Sequence, residues 1–278
     1  MKKFIKWSVI LGGVFLLGAC GSGAATGTSS SQKSEGKLAA IKKAGVLKVG
    51  TSADFPPFEF HTMVDGKDTI VGADVDMVNA IAEELGVKVQ WSDTEFDPML
   101  ASLQQGNLDM GVSGISATEE RKQNMLFTDN YYAPKQNVVV KKDDLDKYTD
   151  IASLTGKKVG AQKGSIQEGI VKDQFTDSQL VSVGKIPSLV VEVKQGSIDA
   201  LVLEDKIAES YVAQNADLAL ADIEVTSSDD ESYAIALPKG SEDLQAELNK
   251  ILAKLTEEGK IDEFVEKNTA LAKDRKST

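Results

Sequence analysis

Two residue types that build sites and crosslinks are nearly missing: 278 residues hold one Cys and one His. A single thiol closes no internal disulfide, and with one imidazole the common zinc ligand sets cannot be assembled. Positive charge is also short, with 31 Lys and Arg against 43 Asp and Glu, a formal net charge of −12. Nucleic-acid binding depends on clustered cations that displace counterions from phosphate, so this balance argues against it. Long apolar runs are missing too: the strongest, at residues 9–17, falls short of the roughly 20 residues a membrane helix needs. What is abundant is ordinary core material. The 41% hydrophobic content is enough to bury a large interior, in one big domain or in two lobes. The lone histidine, His61, stands beside Thr62 and near Asp65 and reads as a solvated loop residue.

Residues 1–19 place Lys2, Lys3 and Lys6 ahead of the short apolar core, the pattern of an export leader. Leu17-Gly18-Ala19-Cys20 resembles the bacterial lipobox, which implies cleavage before Cys20 and a thioether-linked lipid on its sulfur. One acyl chain holds a protein on a membrane only marginally, so two or more, palmitate among them, are expected. Residues 21–36 are mostly Gly, Ser, Ala and Thr. Such a run has no core to build and reads as a flexible tether.

Beyond the tether, residues 47–50 alternate as a short strand and run into Thr51-Ser52-Ala53-Asp54-Phe55-Pro56-Pro57-Phe58, where the two prolines stiffen a loop. Phe58 and Phe60 are expected in the core. Val75, Val78, Ile81 and Leu85 recur at helical spacing up to Gly86, residues 87–91 form the next strand, and a second helix is expected with Asp97 as N-cap and Pro98 in its first turn. A central strand over 108–115 follows. Strand, helix, strand, helix, strand implies a parallel sheet, with ligands at the carboxyl ends of its strands. After the charged residues 141–150 the pattern restarts, with a strand at 158–162, a turn at Gly164 and a helix at 166–175. The stretch Gln195-Gly196-Ser197-Ile198-Asp199-Ala200 echoes Gln105-Gly106-Asn107-Leu108-Asp109-Met110. The echo points to two similar lobes, the second inserted in the first. Residues 242–267 read as an amphipathic helix pair broken at Gly259.

The chain is organised around Met110-Gly111-Val112-Ser113-Gly114-Ile115-Ser116-Ala117-Thr118-Glu119-Glu120-Arg121, where an apolar strand ends in small residues and a helix begins. Small residues let backbone approach a ligand, and Thr118 as N-cap leaves nearby amides unpaired and aimed forward. Arg121 in the first turn can grip both oxygens of a carboxylate. Together these form an anion seat; the competing reading is an exposed arginine paired with Glu119 or Glu120.

The run Gly114-Ile115-Ser116-Ala117-Thr118-Glu119-Glu120-Arg121-Lys122, followed by Phe127-Thr128-Asp129-Asn130-Tyr131-Tyr132, closely resembles the signature of bacterial extracellular solute-binding proteins of family 3, the polar-amino-acid receptors of ABC importers. The resemblance extends over about residues 48–267. It implies that Arg121 grips a ligand α-carboxylate beside Ser113, Gly114 and Ser116, that Phe55 stacks on the ligand, and that Phe96 covers its other face. The family's usual acid position holds Ser52 here, with Asp54 two residues on, so which of them reads the ligand side chain stays open. Gln162, Gly164, Ser165, Ile166 and Gln167 match a second ligand loop. Ile166 stands where a hydroxyl residue is often found and would contribute only its N–H. Glu204, with Asp205 as rival, matches the acid that takes the α-ammonium; from position alone a carboxylate heading a helix can equally be a dipole partner.

The expected fold is accordingly α/β, periplasmic-binding-protein-like (type II): two lobes, each with a central, mostly parallel sheet flanked by helices, joined by a two-strand hinge near residues 133–138 and 227–234. The expected layout is a leader at 1–19, lipidated Cys20 and tether at 20–36, the first part of lobe 1 at 37–134, lobe 2 at 135–230, and the return to lobe 1 with the terminal helices at 231–278. The resemblance implies a monomer anchored by lipid at the outer face of the cytoplasmic membrane. It would pass a free polar amino acid, glutamine-like or basic, to an ABC permease and its ATPase. No cofactor, metal, nucleic acid or catalytic residue is expected. The alternatives are an enzyme on the same scaffold, similar to cyclohexadienyl dehydratase, and a ligand-sensing lipoprotein with no transporter.

Overall fold

In a computed structural model of the chain, residues 36–228 and 231–274 are described. The expected leader, Cys20 and nearly all of the tether lie outside them. The first half runs α1 (Lys37–Ala44), β1 (Val46–Thr51), β2 (Asp54–Phe55), β3 (Glu59–Val64), β4 (Lys67–Val71), α2 (Ala73–Leu85), β5 (Lys88–Asp93), α3 (Phe96–Gln104), β6 (Met110–Gly111), α4 (Glu119–Lys122) and β7 (Met125–Phe127). The second half runs β8 (Gln136–Lys141), β9 (Lys158–Gln162), α5 (Ile166–Gln174), β10 (Gln179–Val183), α6 (Ile186–Gln195), β11 (Ala200–Glu204), α7 (Asp205–Gln214), β12 (Leu218–Ala221), β13 (Ala236–Pro238), α8 (Glu242–Glu257) and α9 (Lys260–Asp274).

Two five-stranded sheets have the orders β5-β1-β6-β13-β7 and β10-β9-β11-β8-β12. In the first, β5, β1 and β6 are parallel and β13 runs against both of its neighbours. In the second, β10, β9 and β11 are parallel and β8 runs against both of its neighbours. The lobes therefore share one topology, as the glycine-centred echo implied. The reversed strand in each lobe, β8 or β13, is the one entered directly from the crossing between lobes. The crossing segments pair with each other, Tyr131 N–H donating to Tyr233 O at 2.9 Å and Tyr233 N–H to Tyr132 O at 2.7 Å.

Each sheet is covered by apolar helix faces. Leu47, Val49, Met77, Ile81, Leu248 and Leu252 fill lobe 1, and Val138, Val159, Phe175 and Val202 fill lobe 2. A third cluster runs between them, from Phe55, Phe58 and Tyr233 to Ile186, Leu203 and Ile207. As expected, Phe58 and Phe60 are fully buried and the inward leucines of α8 lie in the core.

Three local expectations are corrected. The N-cap of α3 is Glu95 rather than Asp97; Pro98 is tolerated inside the first turn because N–H groups there have no helical partner to lose. The strand expected over 108–115 pairs as a strand only at Met110 and Gly111, because the chain turns at Gly114, φ 52°, whose N–H meets the Asp74 side chain, and only isolated pairing with the crossing segment follows at Ile115 and Ser116. A small antiparallel sheet of β2, β3 and β4 was not expected. His61 lies on β3 in it, not in a loop. Its Nδ1 faces Asp68 at 3.0 Å and its Nε2 faces Asp93 at 2.9 Å, and hydrogen bonds to these two carboxylates raise its pKa against the opposing effect of burial.

Candidate functional site

The carboxyl ends of β1, β6, β9 and β11 face one another between the lobes, where open α/β sheets place their ligands. From lobe 1 come Ser52, Asp54, Phe55, Phe96, Ser113, Gly114, Ser116 and Arg121, and from lobe 2 Gln162, Ser165, Ile166, Gln167 and Glu204. These thirteen, all named from the sequence, line one narrow cleft between the lobes.

Thr118 caps α4, its Oγ1 accepting from Arg121 N–H at 3.3 Å. Arg121 then turns inward. One guanidinium nitrogen donates to Ser116 O at 3.0 Å and the other crosses the cleft to Gly164 O at 3.0 Å, while its carbon lies 5.4 Å from the centre of the Phe96 ring. The rival pairing with Glu119 is taken by Lys122, at 2.8 Å. Burial lowers the Arg121 pKa to about 10, against the field of Glu204 and Glu120. The group remains a cation at neutral pH.

Glu204 caps α7 by position but makes no capping bond with its side chain. It is 3% exposed, and its Oε2 has no hydrogen-bond partner among the described residues. Burial raises its pKa to about 7, with the Gln167 side chain pulling the other way. A buried polar atom left unpaired is costly, so an acid held this way is poised for a cation or donor. Asp205 is turned elsewhere, its Oδ1 accepting from Lys135 N–H at 3.4 Å.

At the other end Asp54, also buried, accepts from Ser52 Oγ at 3.1 Å and, across the cleft, from Ile186 N–H at 3.0 Å and Gln162 Nε2 at 3.4 Å. Burial raises its pKa and nearby Lys185 lowers it. Lys185 reaches over from lobe 2, with Nζ 3.1 Å from Thr94 O and 3.4 Å from Ser52 Oγ. Phe55 packs so closely on Gly114 that a Cβ there would sit 2.5 Å from the ring. Ser165 Oγ donates to Gln162 O at 2.7 Å, and the first amides of α5 have no partner within the helix.

Residues 47–270 match the profile of the bacterial extracellular solute-binding proteins, family 3. The chain belongs to that family. The arginine-binding extracellular protein ArtP of Bacillus subtilis is 35% identical over 96% of this chain and 98% of its own length. The ABC transporter glutamine-binding protein GlnH of the same species is 30% identical over 96% and 97%. Among solved structures, the amino acid ABC transporter substrate-binding protein AbpA of Streptococcus pneumoniae, bound to L-arginine, superposes with a TM-score of 0.82 at 43% identity, covering 85% of this chain and 99% of that one. These neighbours share the type II, two-lobed fold.

Sequence reading missed Lys185 and Ile186 at this family 3 site. Neither lies in a motif, and only the crossing of lobes, 132 residues apart for Ile186 and Asp54, brings them to the cleft.

Proposed function

We propose that this solute-binding protein captures a free α-amino acid between its lobes. The observation that carries the reading is a guanidinium from lobe 1 and an acid with an unpartnered oxygen from lobe 2, both facing one buried cavity. An amino acid brings the complementary charges, its carboxylate to Arg121 and its ammonium to Glu204. A charge pair at 4 Å is worth about 1 kcal/mol in bulk water but about 4 at an effective dielectric of 20. Micromolar affinity needs about 8 kcal/mol, which two such pairs supply only where water is excluded. The side chain would lie between Phe55 and Phe96 and end at Ser52, Asp54 and Gln162. An acid and an amide there suit a basic or amide-bearing side chain, and the relatives described above carry arginine- and glutamine-binding names.

In the same reading the chain is lipid-anchored through Cys20 outside the cytoplasmic membrane and delivers its ligand to an ABC permease. The enzyme alternative would have to use Glu204 or Asp54 as a base, since the cavity lining contains no His or Cys. Titration calorimetry against the twenty amino acids tests the reading: saturable heat is expected from arginine or glutamine, with the ligand recovered unchanged. Heat from no amino acid, or turnover of a prephenate-like acid, would overturn it. Anchoring is tested separately, since Cys20→Ser should release the protein into the medium.

A further inference from the structure

Behind the Ser113–Gly114 loop that lines the cavity, the Glu59 and Asp74 carboxyl groups meet side chain to side chain, brought together where Asp74 N–H donates to Phe58 O at 2.9 Å. Glu59, the first residue of β3, and Asp74, in the first turn of α2, are 0% and 1% exposed. We infer that this pair shares a single proton, and that through it Glu59 and Asp74 act as positioning residues, tying the two ligand-facing loops of lobe 1 to the crossing segment. The inference rests on the amino-acid reading of the cavity.

Counting donors assigns the proton. Asp74 accepts from Tyr131 O–H, 2.9 Å from each of its oxygens, and from Gly114 N–H at 3.4 Å. Glu59 accepts from Ser113 Oγ at 2.6 Å through Oε1, while its Oε2 has no donor among the described residues. The partners reaching the pair are neutral, and two carboxylates in contact inside a protein do not both ionise. The proton therefore sits on Glu59 Oε2, the oxygen without a donor, and is donated to Asp74, the acceptor already supplied with donors. The other titratable groups facing the pair act in the same direction: Asp54 on β2 and Asp74 itself push Glu59 towards its protonated form, while Tyr131 and Tyr233 are held neutral by burial and by these acids.

The groups so fixed are those the cavity uses. Ser113 Oγ, held by Glu59, accepts from Ser52 N–H at 3.1 Å, which locks the loop after β1 to the loop after β6. Asp74 holds Gly114, against which Phe55 packs. Tyr131 carries the connection to the crossing segment, where its own N–H meets Tyr233 O at 2.9 Å. An acid pair serves here where an apolar pair would not, because one protonated and one ionised group can together give and take every bond the loops require.

Glu59→Gln reproduces the protonated acid, its oxygen accepting from Ser113 and its amide donating to Asp74. Asp74→Asn instead turns an N–H towards Tyr131 or Gly114, donor against donor. Calorimetry with the tightest amino acid should find Glu59→Gln within about threefold of the unmodified protein, and Asp74→Asn and Tyr131→Phe weaker by about tenfold, the scale of a misplaced buried hydrogen bond. In a Glu204→Gln background, which removes the other buried acid that holds a proton near neutrality, the infrared difference between the ligand-free protein with and without Glu59→Gln should show a protonated-carboxyl band at neutral pH that belongs to Glu59. A missing band, or Glu59→Gln binding as poorly as Asp74→Asn, overturns the inference. The band is read without ligand. It therefore decides the proton's place even if no amino acid binds, an outcome that would fall on the proposed function alone, and even if Asp74→Asn does not fold.

Discussion

Glu204 and Arg121 make the cavity sensitive to pH and to charge in separable ways. Burial holds the Glu204 pKa at about 7 against an ordinary 4.5, so in the ligand-free protein much of it is protonated just below neutrality. An ammonium favours the ionised form, and binding then releases a proton. Amino-acid affinity should rise with pH, by up to about tenfold per unit below 7, and level off above it. Glu204→Gln should flatten that profile, and calorimetry in buffers of different ionisation enthalpy should lose its proton-release signal in the variant. The sign for ligand-free stability is opposite. A raised folded pKa means that the folded form binds more protons between 4.5 and about 7, so this group's contribution declines as pH rises through that window. Arg121 stays charged throughout. Arg121→Ala should weaken binding by about 2–3 kcal/mol, the value of charged hydrogen bonds lost, at every pH in the series; unchanged affinity would remove it from the carboxylate's side.

At the scale of elements, the entry into α2 carries the most constraint. Gly72, its N-cap, has φ 141°, and a Cβ there would lie 1.9 Å from Phe58 O. No side chain fits against backbone at that distance, and the turn places Asp74 beside the Ser113 loop. Gly72→Ala should cost about 3 kcal/mol or more by strain and clash together, read as a lower urea midpoint at unchanged slope. This element also shows where sequence ceases to speak. Gly86 and Gly196 close α2 and α6 as glycines in that pattern should, and Thr118 caps α4, because caps and helix ends are decided by residues a few positions apart. Glu59 was illegible. Between Phe58 and Phe60 on a strand it should face solvent by alternation, yet all three are buried because the Ser113 loop covers the second face. Asp74 was hidden in another way, since an acid in a helix's first turn needs no further explanation than the dipole. Lys185 had no local signature at all. Its place depends on a lobe contributed by distant chain, whereas Arg121 follows a helix start that the sequence does show and Glu204 ends a visible strand, and the family resemblance singled out both.

For the whole molecule, the question is what holds the lobes together. Across the cleft run the bond from Arg121 to Gly164, those from Ile186 and Gln162 to Asp54, Lys185 to Thr94, and the exposed pair Lys163–Asp97 at 3.3 Å. Net hydrogen bonds contribute about 1 kcal/mol each and exposed ion pairs between zero and about 1. These bonds add to the apolar cluster between the lobes, from Phe55 to Ile186, and to the bond from Tyr211 O–H to Asp54 O at 2.7 Å. About 5.5 kcal/mol of preference for one form suffices to move a two-state equilibrium from one per cent to ninety-nine. An amino acid that pairs with both lobes supplies preference on that scale. Small-angle scattering should show a ligand-free ensemble that contracts on adding arginine or glutamine at saturating concentration, with no change in molecular mass. Lys185→Ala, which removes a closing contact and leaves Arg121 and Glu204 in place, should speed ligand release several-fold while changing association less, because such contacts form after encounter. Identical scattering with and without a bound amino acid would mean that the lobes do not move on binding. Release would then have to proceed through the mouth of the cleft, and the loss of Lys185 should leave its rate unchanged.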